Sequence, residues 1–274
     1  MVEAYGYNQQ IINELNNIDN NTNNFYNYNG LNFLSMLNSK NNNIVFSFHG
    51  SIPNTHKGQF DAIFRGYNYT IDNTDIICIS DYLLSKYKYN YTVNWTLSTK
   101  THPNLDLLYT QLFGHILNMK TYKNVIFTGS SAGGFPSLKF GSLFNAIVII
   151  SNSQLYIENY ANNHGLKFIQ QYINKDDEVI YENKMIENII LQSPPKQIIY
   201  YQNINDNEPC PHNSYADFEQ FKLFIKTNKL DQICIFNSFN HSIDGINPHS
   251  IQWPDNKYHL DILREFINSK SHNT

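Results

Sequence analysis

The chain has 274 residues, of which 41% are hydrophobic and 15% are charged, and its formal net charge is −4. This length and hydrophobic content suit one large folded domain, and the small negative charge gives no electrostatic reason to expect nucleic acid or an anionic membrane as a partner. The N-terminus has no basic segment followed by an apolar one, and the longest apolar run, residues 146–150, is far too short to cross a bilayer. Three scattered cysteines form no metal-ligand pattern, so we expect a cytoplasmic protein with reduced thiols.

The N-terminal part of the chain is rich in asparagine and low in complexity, so we interpret residues 1–43 as a separate segment. A short helix is predicted around residues 9–16. The remainder of the segment is predicted to form one or two edge strands around residues 31–36, with a poorly ordered arm as the alternative. No catalytic residue is expected here.

From residue 44 onward, short apolar segments alternate with segments of helical periodicity. This alternation predicts the α/β class, with a mostly parallel sheet and helices on both of its faces. The tyrosine-rich residues 81–101 are expected to form a long loop near the rim of a site, and residues 155–195 form either a small lid or two surface helices. Strands are predicted at 44–48, 75–80, 125–128, 146–151, 197–202 and 232–236, and helices at 103–119, directly after 133, at 216–227 and at 256–267.

The most informative motif is Gly-Ser-Ser-Ala-Gly at residues 129–133, a G-x-S-x-G pattern between a predicted strand and a predicted helix. A tight strand-to-helix turn lifts the hydroxyl of Ser131 above the sheet edge and directs the amide of Ala132 into the same space. Such a turn is crowded and strained, which favours glycine at its ends. The pattern predicts Ser131 as a nucleophile; the alternative is a small-residue turn that only closes a βα unit.

A second motif, His49-Gly50-Ser51, follows the strand predicted at residues 44–48. In this position the backbone of the Gly50–Ser51 turn supplies a second amide to an oxyanion site, and His49 orients the loop without titrating in the reaction. We place His49 and Ser130 among the residues of the substrate-binding loops. The alternative for this motif is an ordinary turn.

An acid and a histidine follow the last two predicted strands. Right-handed crossovers bring the carboxyl ends of parallel strands to one edge of a sheet, so Ser131, Asp206 and His241 are expected to converge. Glu208 competes with Asp206, and His249 competes with His241. Asp206 and His241 are the preferred pair, His241 because it stands closer to the end of its strand. Alternatively, Asp206 caps a turn and His241 is an ordinary loop histidine.

These motifs together resemble the α/β-hydrolase superfamily, and the resemblance covers roughly residues 44–268. It rests on Phe-His-Gly at 48–50, the motif at 129–133, an acid after the penultimate strand and a histidine after the last. The resemblance implies an α/β-hydrolase domain over residues 44–274 and serine-hydrolase chemistry without a metal or an organic cofactor. His241 would take the proton of Ser131, and Asp206 would orient the imidazole. The loop lacks the additional glycines of the lipase-type His-Gly-Gly-Gly motif, which disfavours that subgroup.

Two shorter segments suggest a substrate class. Ser-Asn-Ser-Gln at residues 151–154 and Tyr-Gln-Asn-Ile-Asn-Asp at residues 201–206 resemble segments of uncharacterised α/β-hydrolases encoded near surface-polysaccharide genes. This resemblance implies an acyl ester on a glycan or on a small polar molecule as substrate. The alternatives are a peptidase or acyltransferase that uses the same triad, and a non-catalytic member of the fold that acts in binding or assembly. The sequence does not define the oligomeric state.

Overall fold

The computed structural model of the chain describes residues 4–7, 23–52, 62–66, 68–87, 92–160, 165–171, 177–206 and 214–271. The helix predicted at 9–16 and the alternative acid Glu208 lie outside the described residues. The strands are β1 (Ala4–Tyr7), β2 (Asn23–Tyr28), β3 (Leu31–Met36), β4 (Asn43–Phe48), β5 (Ala62–Arg65), β6 (Thr74–Ile79), β7 (Ser98–Thr99), β8 (Asn124–Ser130), β9 (Ile147–Ser151), β10 (Val179–Ile180), β11 (Gln197–Asn203) and β12 (Cys234–Phe239). The α-helices are α1 (Tyr82–Lys86), α2 (Leu105–Asn118), α3 (Gly134–Leu143), α4 (Gly165–Gln170), α5 (Met185–Gln192), α6 (Ser214–Thr227) and α7 (His259–Ser271).

The central sheet has eight strands in the order β12-β11-β9-β8-β4-β6-β3-β2. The six strands from β12 to β6 pair in parallel, and β3 and β2 extend the sheet as an antiparallel edge. The predictions of a mostly parallel sheet and of edge strands near residue 31 are confirmed. Across the ranges that the structure describes, every helix is too short or too polar to cross a lipid bilayer.

The central strands are buried on both faces, which explains why their sequences are continuously apolar. All six residues of β4 are buried, and successive residues of a strand point to opposite faces of the sheet. Phe46 accordingly packs in one cluster with Phe113 of α2, whereas Val45 packs in another with Leu263 of α7. Helices therefore cover both faces of the sheet, as the alternating sequence pattern predicts.

The structure differs from the sequence prediction most clearly at the C-terminal end of the sheet. Residues Asp231–Ile233 form a 3-10 turn, so the last strand begins at Cys234 and ends at Phe239, later than the predicted 232–236. Helix α7 likewise begins at His259, after another 3-10 turn at Pro254–Asn256. These shifts define the connection that follows β12 and that carries both candidate histidines.

The described part of the tyrosine-rich region contains a short helix and buried side chains in addition to irregular segments. Residues 82–86 form helix α1, and Trp95 is buried with its ring 4.9 Å from that of Tyr160. Strand β7 pairs with β10, which ties this region to the segment predicted as a lid. Ile186 and Ile190 of α5 pack in the same core cluster as Trp95. The lid function of residues 155–195 stays a prediction.

Candidate active site

The turn after β8 has the geometry predicted for a nucleophile. Ser131 adopts a left-handed conformation with φ of 53°, and residues Ser131–Gly133 form a 3-10 turn that leads into α3. A Cβ atom on Gly129 would lie 2.3 Å from the carbonyl oxygen of Gly133, and one on Gly133 would lie 2.7 Å from the carbonyl oxygen of His49. Both glycines are therefore required by close backbone approaches, and the strained serine between them is presented at the end of the strand.

The side chain of Ser131 contacts a histidine, and that histidine contacts an acid. His249 Nε2 lies 2.8 Å from Ser131 Oγ, and His249 Nδ1 lies 2.8 Å from Asp206 Oδ2. A carboxylate only accepts hydrogen bonds, so Nδ1 carries the proton and Nε2 is left to accept the serine hydroxyl. All three side chains are buried. This arrangement is suited to removing a proton from Ser131.

The preference for His241 over His249 is wrong for the contact with Ser131. The described contacts contain no hydrogen bond from the ring of His241 to Ser131 or to Asp206; its backbone N–H donates to Asn203 Oδ1 over 3.4 Å. Strand β12 is three strands away from β8, or about 14 Å at the usual spacing. A residue directly after β12 is therefore too far from Ser131. The chain first passes through exposed residues 242–247, and the 3-10 turn Pro248–Ser250 then returns His249 to the nucleophile.

Asp206 lies where the sequence predicts, in the turn that follows β11. Its backbone N–H donates to the carbonyl oxygen of Asn203 over 3.1 Å, and its side chain is almost fully buried. Besides His249, its Oδ2 accepts a hydrogen bond from the hydroxyl of Ser214, the first residue of α6. Ser214 was not among the residues predicted from the sequence; its position at a helix start is the one signal available for it.

The loop after β4 lies directly against the nucleophile turn. A Cβ atom on Gly50 would lie 3.4 Å from Ser131 Cβ and 3.0 Å from the carbonyl oxygen of Ser130. Ala132 is buried in the turn itself, and Ser51 is half-buried beside Gly50. The three residues predicted for an oxyanion site are thus grouped around Ser131, and their role as hydrogen-bond donors remains a proposal.

His49 supports this loop. Its Nδ1 donates to the carbonyl oxygen of Gly50 over 2.7 Å, so Nε2 is unprotonated and accepts the backbone N–H of Asp81 over 3.3 Å. Burial lowers the pKa of His49, which favours the neutral ring that this pattern requires. Asp81 in turn caps α1 through the N–H of Leu84 and binds the N–H of Thr96, and its burial raises the pKa of Asp81. The ring thus joins the Gly50 loop to the start of α1, and its role in orienting that loop stays a prediction.

The hydroxyl of Ser130 contacts two residues that are distant in the sequence. Its hydroxyl donates to Gln252 Oε1 over 2.5 Å and accepts a hydrogen bond from Arg65 Nη1. Arg65 Nη2 also donates to Gln252 Oε1, over 3.1 Å. Ser130 therefore joins β8 to the segment after His249, and its place among the substrate-binding residues stays a prediction.

A buried histidine network lies on one face of the sheet. The hydroxyl of Thr128 donates to the carbonyl oxygen of Ile149 over 2.7 Å and so must accept from His259 Nε2, which is 2.6 Å away. His259 Nδ1 then accepts the hydroxyl of Tyr69 over 2.9 Å. Burial lowers the pKa of His259 well below its ordinary value. In the described part of the chain, no group of three or more His, Cys, Asp or Glu side chains is placed to hold a metal ion.

A small cavity adjoins the predicted oxyanion site. Gly50 and Ala132 form part of its wall, and the rest comes mainly from the region around α1. Among the described residues, the buried atoms Trp95 Nε1 and Asn94 Oδ1 at this wall have no hydrogen-bond partner. The wall combines apolar and polar side chains, among them Leu84, Val93, Trp95, Pro136, His49, Asp81, Asn94 and Thr96.

Comparisons by sequence find no matching family model and no matching curated protein. Comparisons by structure find many matches. Capsule O-acetyltransferase of Neisseria meningitidis serogroup A is 17% identical, with a TM-score of 0.53 over 89% of this chain and 92% of that one. FphF, a fluorophosphonate-binding serine hydrolase of Staphylococcus aureus, is 11% identical, with a TM-score of 0.53 over 90% of this chain and 96% of that one.

A third similar structure is the acylaminoacyl peptidase of Pyrococcus horikoshii. It is 14% identical, with a TM-score of 0.53, and the match covers 92% of this chain and 42% of the peptidase. At these identities the likeness establishes the fold. The parallel sheet order, the strained serine turn after β8 and these structural matches agree, and the chain has the α/β-hydrolase fold.

Proposed function

We propose that this protein is a serine hydrolase that cleaves a carboxylic ester through a covalent acyl-enzyme. The observation that carries the proposal is the continuous chain of two 2.8 Å hydrogen bonds from Ser131 through His249 to Asp206. A serine hydroxyl is a weak nucleophile unless a base can accept its proton, and this geometry supplies that base. The left-handed turn at Ser131 presents the hydroxyl where an acyl carbonyl can approach.

The reaction follows from these contacts. His249 Nε2 takes the hydroxyl proton as Ser131 Oγ attacks the acyl carbonyl carbon, and Asp206 stabilises the resulting imidazolium. His249 then protonates the alcohol oxygen as its bond to the acyl carbon breaks. A water molecule, deprotonated by the same nitrogen, then attacks the acyl carbon. The bond from that carbon to Ser131 Oγ breaks, His249 returns the proton to Oγ, and the carboxylic acid is released.

The negative charge that develops on the carbonyl oxygen needs fixed donors. Backbone N–H groups of Ala132 and of the Gly50–Ser51 turn are the proposed donors, since both segments lie against Ser131. One such donor is typically worth about 3 kcal/mol in the transition state. The buried position of the triad strengthens these interactions because it excludes water.

A small acyl group such as acetyl is proposed as the half of the substrate that is transferred to Ser131, and the alcohol is the half that leaves. The cavity beside Gly50 and Ala132 is small, and its wall is partly apolar. One structurally similar protein is named a capsule O-acetyltransferase, and this favours a glycan or another small polar alcohol as the other half. Long-chain lipids are not expected to fit the same cavity.

Acyl transfer to a hydroxyl other than water is the second candidate. It uses the same acyl-enzyme, and the observation that favours it is the fold shared with an O-acetyltransferase over 92% of that protein's length. A purely binding role is disfavoured because the complete chain of contacts from Ser131 to Asp206 would then have no chemical task. Nothing in the site favours a peptide substrate.

Turnover of p-nitrophenyl acetate tests the proposal, with acetylated sugars as the second substrate set. The protein should hydrolyse the ester, and Ser131→Ala should abolish turnover, whereas Ser193→Ala, a serine that binds a distant carbonyl group, should not. Adding free sugars as acceptors and measuring acetylated products by mass spectrometry separates transfer from hydrolysis. Turnover that survives Ser131→Ala would refute the proposed nucleophile.

A further inference from the structure

The loop that carries His249 is held by two buried asparagine side chains. Asn152 Nδ2 donates to the carbonyl oxygens of His249, over 3.3 Å, and of Ile251, over 3.2 Å. Asn203 Nδ2 donates to the carbonyl oxygens of Pro248, over 3.3 Å, and of Ile251, over 3.4 Å. Both asparagines are completely buried. The backbone on either side of His249 is thus fixed by side-chain amides and not by strand pairing.

Asn152 has the conformation and the chemistry for this task. It follows the last residue of β9 and adopts a left-handed φ of 41°, which asparagine tolerates better than most residues. Its Oδ1 accepts the backbone N–H of Asn203 over 2.9 Å while its Nδ2 donates to the histidine loop. An amide offers an acceptor and donors on one planar group, whereas a carboxylate offers no donor and an aliphatic side chain offers neither.

Asn203 connects the loop of the histidine to the turn of the acid. Its side-chain Oδ1 accepts the N–H of Asn205 over 3.2 Å, and its carbonyl oxygen accepts the N–H of Asp206 over 3.1 Å. Its Nδ2 also donates to the carbonyl oxygen of His241 over 2.9 Å. One residue therefore contacts both ends of the exposed connection and the turn that presents Asp206.

We propose that Asn152 and Asn203 are positioning residues that hold the imidazole of His249 in line between Asp206 and Ser131. This inference rests on the proposed function. The residues before the turn, 242–247, are exposed, so the strand alone does not determine where His249 lies. A displacement of about 1 Å in a reacting group can lower a rate about 100-fold. The two asparagines touch no reacting atom and act through the backbone of the loop.

The test uses near-isosteric and backbone-compatible variants. Asn152→Asp and Asn203→Asp keep the side-chain shape but replace the donors that face the carbonyl oxygens. Asn152→Gly removes the amide and keeps a backbone that accepts the left-handed conformation. We expect kcat for p-nitrophenyl acetate to fall at least about 30-fold in each, with KM changed by less than about threefold. The low-field imidazole N–H resonance of the His249–Asp206 hydrogen bond should shift or disappear in the same variants.

A matched control comes from the opposite end of the sheet. Asn43 and Asn124 are also buried, and Asn124 Nδ2 donates to Asn43 Oδ1 over 2.7 Å. Asn43→Asp and Asn124→Asp should lower thermal stability by a similar amount while kcat stays within about threefold. This control separates a loss of stability from a loss of alignment.

The results expected for the two pairs of variants either support or overturn the positioning role of Asn152 and Asn203. The inference is supported if kcat falls and the imidazole signal changes at Asn152 and Asn203 but not at Asn43 and Asn124. It is overturned if the first pair keeps kcat or if both pairs lose it equally. If Asn152→Gly does not fold, the near-isosteric Asn152→Asp and Asn203→Asp variants decide between these results. Failure of the proposed function is distinct, since turnover would then persist in Ser131→Ala.

Discussion

Two sides of the same site are fixed by different physical means. Ser131 Oγ and His249 Nε2 lie 2.8 Å apart, yet the serine is held by local backbone geometry and the histidine by contacts between distant segments. At the serine, two glycines allow close backbone approaches around a left-handed residue. At the histidine, buried amides of two other strand ends bind the loop carbonyl groups. The nucleophile is therefore encoded by neighbouring residues, and its base is encoded by the tertiary structure.

The largest expected effect separates the two candidate histidines. His249→Ala should lower kcat about 10⁴-fold, because it removes the base that contacts Ser131. His241→Ala should change kcat by less than about threefold, since its ring contacts neither Ser131 nor Asp206 among the described residues. Steady-state hydrolysis of p-nitrophenyl acetate measures both. The reverse result would restore His241 as the base.

A single added methyl group at Gly129 should disrupt the turn that presents Ser131. Gly129→Ala places a Cβ atom 2.3 Å from the carbonyl oxygen of Gly133 and should lower the free energy of unfolding. We expect a loss of about 3 kcal/mol or more, measured by urea denaturation. Gly114→Ala is the control: its Cβ would meet no atom within 4 Å in the middle of α2, so stability should rise by about 0.5–1 kcal/mol. Equal effects at the two positions would contradict the account of the turn.

One hydrogen bond to Asp206 can be removed while Asp206 itself is kept. Ser214 donates a hydrogen bond to Asp206 Oδ2, and such bonds to charged groups contribute about 1.5–3 kcal/mol. Ser214→Ala should therefore lower kcat about tenfold or more if the bond is strengthened in the reaction. Ser193→Ala, a serine outside the site, should leave kcat unchanged. An unaltered kcat in Ser214→Ala would show that Asp206 needs no support from α6.

The smallest predicted effect is a change in the pH dependence of stability, at the segment whose backbone N–H groups bind the side chain of Asp217. Asp217 Oδ2 accepts the backbone N–H groups of Leu155 and Tyr156, and burial raises the pKa of Asp217 to about 7 from 3.8. A carboxyl group with a raised folded-state pKa binds its proton more tightly when folded, so its contribution to stability is full below about pH 4 and is lost as the pH rises to about 7. The melting temperature should accordingly fall over this range, and the slope should be shallower in Asp217→Asn. An identical slope in the two proteins would contradict the assignment.

The same contrast explains how much of the molecule could be predicted from the sequence. The sheet, its helices and the turn at Ser131 follow from apolar periodicity and from glycines at fixed spacing, which are local signals. The preference for His241 failed because distance along the chain from a strand end says nothing about which strands lie between. Strand β12 is at the edge of the sheet, and only the strand order shows that a longer loop must return to β8.

Other differences have the same cause. His259 is buried, and its two ring nitrogens are satisfied by Tyr69 and Thr128, which are far away in the sequence. Trp95, in the segment expected to form a loop near the rim of the site, is buried and packs against Tyr160. Polar residues are exposed by default, and a sequence read alone cannot show which distant groups will satisfy them.

The most direct test of the account is to identify the residue that a fluorophosphonate probe modifies. Peptide mass spectrometry of the labelled protein should place the adduct on Ser131, and the rate of labelling should collapse in His249→Ala and remain normal in His241→Ala. An adduct on another residue, or labelling that depends on His241 and not on His249, would contradict the Ser131–His249–Asp206 assignment.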